Sequence, residues 1–358
     1  MADDALARLS GGPLKIELSA EPAWSLLADD DVLAVVQFGT PRDLRSPVPR
    51  DLRSPVEPRD LRSPIEEGDP RHVVTGLRIP GGGSAAEVWR VAGPVRVGNA
   101  EGLHYAAGQD YLLGQVEIGG DPAQLAVATQ SAYVQTLRGC QALGYPHLLR
   151  LWNVVAGIND GDGDAERYRI FCQGRFNAFV AAARLPVYPA ASAIGGDAAT
   201  GMVYFLAGRA PAQLIENPHQ ISAFRYPRAY GPASPSFSRA ALWRCGEELR
   251  LAVSGTASIL GHQSRHAGDL AAQLTLTLDN LATVTAAAHA PAPLFRGDAQ
   301  RVLLRTYVRH EADAPVVAAL LAERVPAEVP RTVLRADICR RELMLEMEAM
   351  VVWPEAAP

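Results

Sequence analysis

The stretch Val329–Val352, V-P-R-T-V-L-R-A-D-I-C-R-R-E-L-M-L-E-M-E-A-M-V-V, has the alternating pattern of two β-strands. We predict strands at Thr332–Ile338 and Leu343–Val352. In the second strand, Glu346 and Glu348 fall on one face together with methionines and a valine. Carboxylates on such a face either reach solvent at a sheet edge or lie in a pocket, where loss of water raises the pKa. The pattern alone leaves both readings open, and only the second would provide a proton donor.

The elements around this stretch indicate an α+β fold. Upstream we predict a strand at Leu249–Ser254, a helix at Leu270–Ala288, a strand at Val302–Val308 and a helix at Asp313–Glu323. With one further strand assumed before Leu249, the order is β-β-α-β-α-β-β, which places helices on one face of a mixed sheet.

A weaker copy of this order is present in the N-terminal half. It consists of a strand at Leu112–Ile118, a helix at Pro122–Leu143 and a strand at Leu148–Val155. We therefore predict two tandem domains, residues 1–215 and 216–358. Tyr168–Gly174 is left open as either a strand or a short helix.

Composition excludes several classes of function. The chain has 358 residues, a net charge of −5 and 48% hydrophobic residues, and it carries no basic stripe, so we expect no nucleic-acid partner. Its four cysteines form no CxxC pair, so neither a disulfide framework nor a zinc site is indicated. There is no apolar run of membrane-spanning length and no signal-peptide pattern, and we expect a cytoplasmic protein that needs no membrane.

Two polar segments require separate interpretation. Residues 41–66 contain three copies of PRDLRSP, which we interpret as an exposed loop because each copy carries two prolines. Asn217–Ala240 contains four prolines and several arginines, tyrosines and serines. A segment of this composition is either a binding loop or an interdomain crossing with solvated arginines.

The C-terminal half resembles the RidA/YjgF family, whose fold is chorismate-mutase-like. The resemblance rests on PSFSRA at Pro235–Ala240, VSG at Val253–Gly255, GDLAAQ at Gly268–Gln273, LDNL at Leu278–Leu281 and LEMEA at Leu345–Ala349. In that family an arginine after a proline binds a substrate carboxylate, and a glutamate fifteen residues later handles water or a proton. Arg331 and Glu346 match this type and spacing. The resemblance also implies trimers with sites between subunits, which the two tandem domains would replace in part or extend.

Most of the chain resembles the chorismatases, through Phe224–Ala240, Leu304–Arg309 and Arg167–Arg175. These enzymes remove the enolpyruvyl group of chorismate without a cofactor or metal. The hydrolytic branch tends to have Ala and Val at two active-site positions where the 3-hydroxybenzoate branch has Gly and Cys. Gly255 and Cys339 match the second pair, which implies 3-hydroxybenzoate and pyruvate as products, with 4-hydroxybenzoate left open.

The resemblance implies a set of site residues. Glu346 would protonate the substrate, and Gly255 and Cys339 would shape the reaction. The substrate-binding residues would be Arg228, Tyr226, Arg305, Arg331, Tyr168 and Arg175. Three alternatives remain: hydrolysis of chorismate to a dihydroxycyclohexadiene carboxylate, imine deamination as in RidA, and a non-catalytic module that binds aromatic acids.

Overall fold

A computed structural model describes residues 8–9, 14–39, 68–100, 102–119, 121–182, 187–296 and 300–355. The PRDLRSP repeat at 41–66 lies outside the described residues. The described strands form three large sheets and one two-stranded hairpin, β15 (Ile259–Leu260) with β16 (Gln263–Ser264). The α+β class predicted from the sequence is confirmed.

The C-terminal sheet has six strands in the order β12-β13-β14-β20-β17-β18. Its strands are β12 (Gln213–Ile215), β13 (Ala240–Cys245), β14 (Glu248–Thr256), β17 (Arg301–Val308), β18 (Arg331–Arg335) and β20 (Leu345–Pro354). One face is covered by α4 (Leu270–Ala287) and α5 (Ala314–Arg324). The assumed strand before Leu249 is present as β13. Since β12 belongs to this sheet, a division after residue 215 separates that strand from its partners.

The alternation of the opening stretch is confirmed in β20. Leu345, Met347 and Val351 pack beneath the helices, while Met350 and Val352 lie on the opposite face in the centre of the molecule. Glu346 and Glu348 share that second face. The end of the first predicted strand, β19 (Asp337–Ile338), leaves the C-terminal sheet and pairs with the neighbouring sheet.

The second sheet has seven strands in the order β19-β10-β9-β11-β8-β7-β6. Its other strands are β6 (Arg96–Ala100), β7 (Leu103–Ala107), β8 (Tyr111–Ile118), β9 (His147–Ala156), β10 (Ala190–Gly196) and β11 (Gly201–Gly208). Helices α2 (Leu125–Leu143) and α3 (Arg167–Ala181) cover one face. The order β8-α2-β9-α3-β10-β11 repeats that of the C-terminal half. The sequence predicted the first three of these elements as the copy.

The segment Tyr168–Gly174, for which the sequence allowed a strand or a short helix, is part of the 15-residue helix α3. Gly174 permits its close packing on α2, because a Cβ at that position would lie 2.3 Å from the Ala126 carbonyl oxygen. Tyr168 and Arg175 are two helical turns apart and so lie on one face. That face lines a cavity, which explains why the helix lacks the single apolar stripe from which helices are predicted.

The third sheet has five strands in the order β1-β2-β5-β3-β4 and was not predicted as a separate layer. Its strands are β1 (Arg8–Leu9), β2 (Leu14–Ser19), β3 (Val32–Gly39), β4 (His72–Val74) and β5 (Ser84–Val91), with the short helix α1 (Ala23–Leu26) on its outer face.

All three sheets direct one face at a single central core. That core joins Phe38 and Trp89 from the five-stranded sheet, Trp152 from the seven-stranded sheet, and Tyr307 and Met350 from the six-stranded sheet. Each sheet thus has an inner face toward this core and an outer face toward its own helices. Within the described residues, no helix is long and apolar enough to cross a membrane.

Candidate active site

A cavity of about 330 Å³ lies at the seam between the seven-stranded and six-stranded sheets. Ser254 joins the two sheets beside it: its hydroxyl donates to the Ser238 carbonyl (2.6 Å) and accepts from the Ala191 amide (2.9 Å). The lining includes Glu346, Gly255, Cys339, Tyr168, Tyr226, Arg175, Arg239, Arg340, Ser192 and Phe237. Its size is within the range of small-molecule sites, about 300–1,000 Å³.

Glu346 is the buried acid of this cavity. It lies on β20 opposite Tyr307 of β17 and is 4% exposed. Burial, followed by the negative charge of Glu348, raises the pKa of Glu346 to about 8, and Arg150, Arg239 and Arg309 oppose that shift. The carboxyl is therefore largely protonated near neutral pH. The reading in which Glu346 faces solvent at a sheet edge is wrong.

Gly255 leaves the space that the Glu346 carboxyl occupies. It lies in an irregularity of β14, where the pairing with β20 shifts register between Val253 and Thr256. A Cβ on Gly255 would lie 2.0 Å from Oε1 of Glu346 and 3.0 Å from Oγ of Ser192. Bulges of this kind redirect side chains next to active sites. Glycine therefore fits at position 255 beside the Glu346 carboxyl, whereas a larger residue would displace that carboxyl.

Two buried arginines of the cavity lining have donors without a partner in the part of the chain that the structure describes. Nε and Nη2 of Arg175, and Nε of Arg239, have no hydrogen-bond partner among the described residues. Arg175 lies against the rings of Tyr133 and Phe179, with its Cζ 5.2 and 5.9 Å from their centroids. A buried guanidinium with free N–H groups is suited to bind a carboxylate.

Arg340 is positioned by aromatic rings and the β15–β16 hairpin. Its Cζ lies 4.1 Å from the Tyr230 centroid and 5.3 Å from that of Tyr226. Nη1 donates to the His262 carbonyl (2.9 Å) and to Oγ of Ser264 (3.1 Å). The Tyr226 hydroxyl accepts from Nη2 of Arg239 at 2.7 Å, so Tyr226 contacts two of the cavity's cations.

Cys339 follows β19 and forms part of the cavity wall. Burial and the nearby Glu346 raise its pKa above the ordinary thiol range, as burial does for Cys172, whose pKa is about 12. Cys339 is thus a neutral thiol at physiological pH rather than a nucleophilic thiolate. Tyr168 lies close to both cysteines, and burial likewise raises its pKa well above the usual value.

Three arginines predicted to bind substrate are placed elsewhere. Arg305 is 3% exposed and is bound by Glu87 and Glu348 behind the cavity. Arg331 donates to the carbonyls of Val325 and Pro326. It is the first residue of β18 and pairs with Leu304 of β17, three residues before Tyr307, the residue that pairs with Glu346. The structure does not bring these two side chains into the cavity lining.

Arg228, the third, is an exposed side chain paired with Asp164 (2.6 Å). Its neighbours Tyr226, Ala229 and Tyr230 line the cavity, whereas Arg228 lies outside that lining. The structure therefore does not bring Arg228 together with the cavity residues.

The sequence reasoning missed Arg239, Arg340 and Ser192 as site residues. Arg239 lies within the PSFSRA motif, and Arg340 directly follows Cys339, so both stood in segments that carried the resemblance. Ser192 lies on β10, which the sequence reasoning did not predict. Among the described residues, no three His, Cys, Asp or Glu side chains come together in a metal-binding group.

Comparison with known proteins agrees with this architecture. The family profile described as Chorismatase FkbO/Hyg5-like, N-terminal, matches residues 87–207. A chorismatase of Streptomyces rapamycinicus is 39% identical over 277 residues, covering 75% of this chain and 82% of that protein. A 3-hydroxybenzoate synthase of Streptomyces hygroscopicus is 34% identical over 279 residues, covering 75% and 81%. A crystal structure of chorismatase matches with a TM-score of 0.79 and 31% identity, covering 96% of this chain and 99% of that one. With this identity over most of both chains, the protein belongs to the chorismatase family.

Proposed function

We propose that this protein converts chorismate to 3-hydroxybenzoate and pyruvate without a cofactor. The observation that carries the proposal is a buried carboxyl, Glu346, whose pKa of about 8 keeps it protonated inside a cavity lined by arginines. The relatives named chorismatase and 3-hydroxybenzoate synthase support the substrate and the product class.

The cations of the cavity suit a dianionic substrate. Chorismate carries one carboxylate on its ring and one on its enolpyruvyl group. Arg175, Arg239 and Arg340 approach the cavity from three different segments, so the two carboxylates can be bound at separate points. Bound anions next to Glu346 further favour its protonated form.

The reaction begins when Glu346 donates its proton to the methylene carbon of the enol ether. The ether carbon becomes an oxocarbenium ion, and Glu346 becomes a carboxylate. Attack of the neighbouring ring hydroxyl on the ring carbon that bears the ether then breaks the carbon–oxygen bond and releases pyruvate. The original bond between the hydroxyl oxygen and its own ring carbon then opens, so that the oxygen, with its proton, stays on the carbon that bore the ether. Loss of the ring proton of that carbon to the Glu346 carboxylate gives 3-hydroxybenzoate and restores the acid. The two products together contain every atom of chorismate, so no water is consumed.

Gly255 and Cys339 support this route over hydrolysis. The Glu346 carboxyl fills the space beside Gly255, and the neutral Cys339 thiol adds a weakly polar wall. Gly and Cys at these two positions are the pair that the resemblance associates with 3-hydroxybenzoate rather than with hydrolysis. Imine deamination of the RidA type would need Arg331 close to Glu346, and the structure separates them.

The test is to incubate the protein with chorismate in H₂¹⁸O and reduce pyruvate at once with lactate dehydrogenase. We expect 3-hydroxybenzoate by chromatography and lactate without ¹⁸O at the former carbonyl, because the ether oxygen leaves with pyruvate. In D₂O the lactate methyl group should carry one deuterium. Labelled lactate with the diene diol would assign hydrolysis instead, and the absence of pyruvate would refute the proposal.

A further inference from the structure

A cluster of buried charges lies behind the acid, on the same face of β20. Its centre is Glu348, which accepts hydrogen bonds from Oγ of Ser192 (2.6 Å), Nε1 of Trp152 (2.9 Å) and the hydroxyl of Tyr307 (3.0 Å). Arg150 and Arg305 form ion pairs with its two oxygens. Although burial would raise it, the pKa of Glu348 is lowered, by Arg305 and Arg150 first. Glu348 is therefore a fixed carboxylate.

The five-stranded sheet takes part in this cluster through Glu87 of β5. Its two oxygens accept from Nε and Nη2 of Arg305 at 3.1 and 2.7 Å. Nη1 of Arg305 donates to the Tyr204 hydroxyl (2.9 Å) and lies 2.7 Å from Oε1 of Glu348. Side chains from all three sheets thus determine the place of one carboxylate.

Glu348 is the negative charge that acts most strongly on Glu346. The two side chains are two residues apart on one strand face, which separates their Cα atoms by about 7 Å. Both are buried, so water screens the repulsion little. The other titratable and charged groups around Glu346 and in its cavity come from six segments. They are Arg150 on β9; Asp162 and Glu166 before α3; Tyr168, Arg169 and Arg175 on α3; Tyr226, Tyr230 and Arg239 before β13; Arg309 after β17; and Cys339, Arg340, Arg341 and Glu342 after β19.

We propose that Glu348 is a positioning residue for the reaction: its bound carboxylate keeps Glu346 protonated and directed into the cavity. The Glu87–Arg305 pair makes the position of the Glu348 carboxylate depend on the five-stranded sheet. Ser192 is the link, since its hydroxyl binds Glu348 and also lines the cavity. The inference rests on the proposed function, in which Glu346 is the acid.

The pH dependence of turnover tests this role. In Glu348→Gln the negative charge is lost while Arg150 and Arg305 remain, so the alkaline limit of kcat should fall by about 1–2 pH units. Glu348→Asp should restore the limit to within about half a unit. Tyr307→Phe is the matched control, because it removes a hydrogen bond to Glu348 and keeps the charge. A merely structural role predicts equal limits in Glu348→Gln and Tyr307→Phe, and that result would overturn the proposal.

A second measurement does not depend on turnover. The Glu346 carboxyl can be titrated by ¹³C NMR with glutamate labelled at Cδ, and assigned by the signal missing from Glu346→Gln. Its midpoint should fall in Glu348→Gln and rise in Arg150→Gln, since Arg150 lowers the pKa of Glu346. If Glu348→Gln does not fold, the wild-type signal of Glu348, assigned by its loss in Glu348→Asp, decides: a Glu348 carboxyl that is still protonated when Glu346 titrates overturns the proposal. Wild-type protein that titrates as expected but yields no pyruvate would refute the proposed function and leave the electrostatic link intact.

Discussion

Replacing Gly255 with alanine tests whether the space beside Glu346 sets its position. The added Cβ would lie 2.0 Å from Oε1 and 2.8 Å from Cδ of Glu346, whereas ordinary contact begins at 3.4 Å. The carboxyl must therefore move by roughly 1.4 Å, and Ser192 Oγ, 3.0 Å from the same Cβ, restricts where it can go. A misplacement of about 1 Å can cost about 100-fold in rate. We expect kcat for 3-hydroxybenzoate formation to fall by about that factor, or about 2.7 kcal/mol in the barrier.

The assay is pyruvate release coupled to lactate dehydrogenase, with the aromatic products and the diene diol separated by chromatography. Any remaining turnover should contain a larger share of diol, because a displaced carboxyl leaves room for water. Gly68→Ala is the control, since a Cβ there meets nothing within 4 Å. Gly255→Ala should melt within a few degrees of the wild type, because alanine at a permitted backbone conformation does not destabilise the chain. An unchanged kcat with unchanged products would refute the reasoning.

Four further substitutions follow from the same geometry. Glu346→Gln should lower turnover by about 10²–10⁴-fold, and wild-type turnover should decline above pH 8, where Glu346 loses its proton. The folded protein keeps the Glu346 proton to about pH 8, whereas the unfolded chain loses it near pH 4.5. The free energy of unfolding of the wild type therefore falls between these two pH values. Calorimetry should show the melting temperature of Glu346→Gln rising relative to that of the wild type from pH 5 to pH 8. Arg175→Met should raise KM about 10–100-fold through loss of a charge-assisted contact, while Arg331→Met, outside the cavity, should leave KM within about twofold; equal effects would contradict the assignment. Arg305→Met leaves Glu87 and Glu348 without their shared cation, and urea unfolding should show a loss of about 3–5 kcal/mol; a neutral result would show that the pairs contribute little.

The sequence was informative where one physical rule decided the structure. The alternation of β20 assigned its two faces because one face packs on helices and the other on a second sheet. The order of strands and helices gave both tandem units. Glu346 was found because a carboxylate at a fixed spacing within recognisable motifs is a strong signal.

The features that the sequence did not predict depend on contacts between segments far apart in the chain. Helix α3 buries two faces, so its pattern lacks the contrast by which helices are predicted. Arg305 and Arg331 had the right residue type, but only the sheet register shows that one lies behind the cavity and the other beyond it. Arg239 could be recognised as a site residue only once the seam between the two sheets was known. The burial of Glu348 among cations from three sheets has no local signature in sequence.

The three sheets around one core belong to a single polypeptide, and this affects how the site can change in evolution. In an assembly of identical subunits, every substitution appears at each equivalent contact, so a residue that improves one site must be tolerated at all of them. Here the contact of β10 with β14 can accept Gly255 or Cys339 without imposing them on the contacts made by the five-stranded sheet. One seam can therefore diverge in chemistry without the same substitution appearing at the other two.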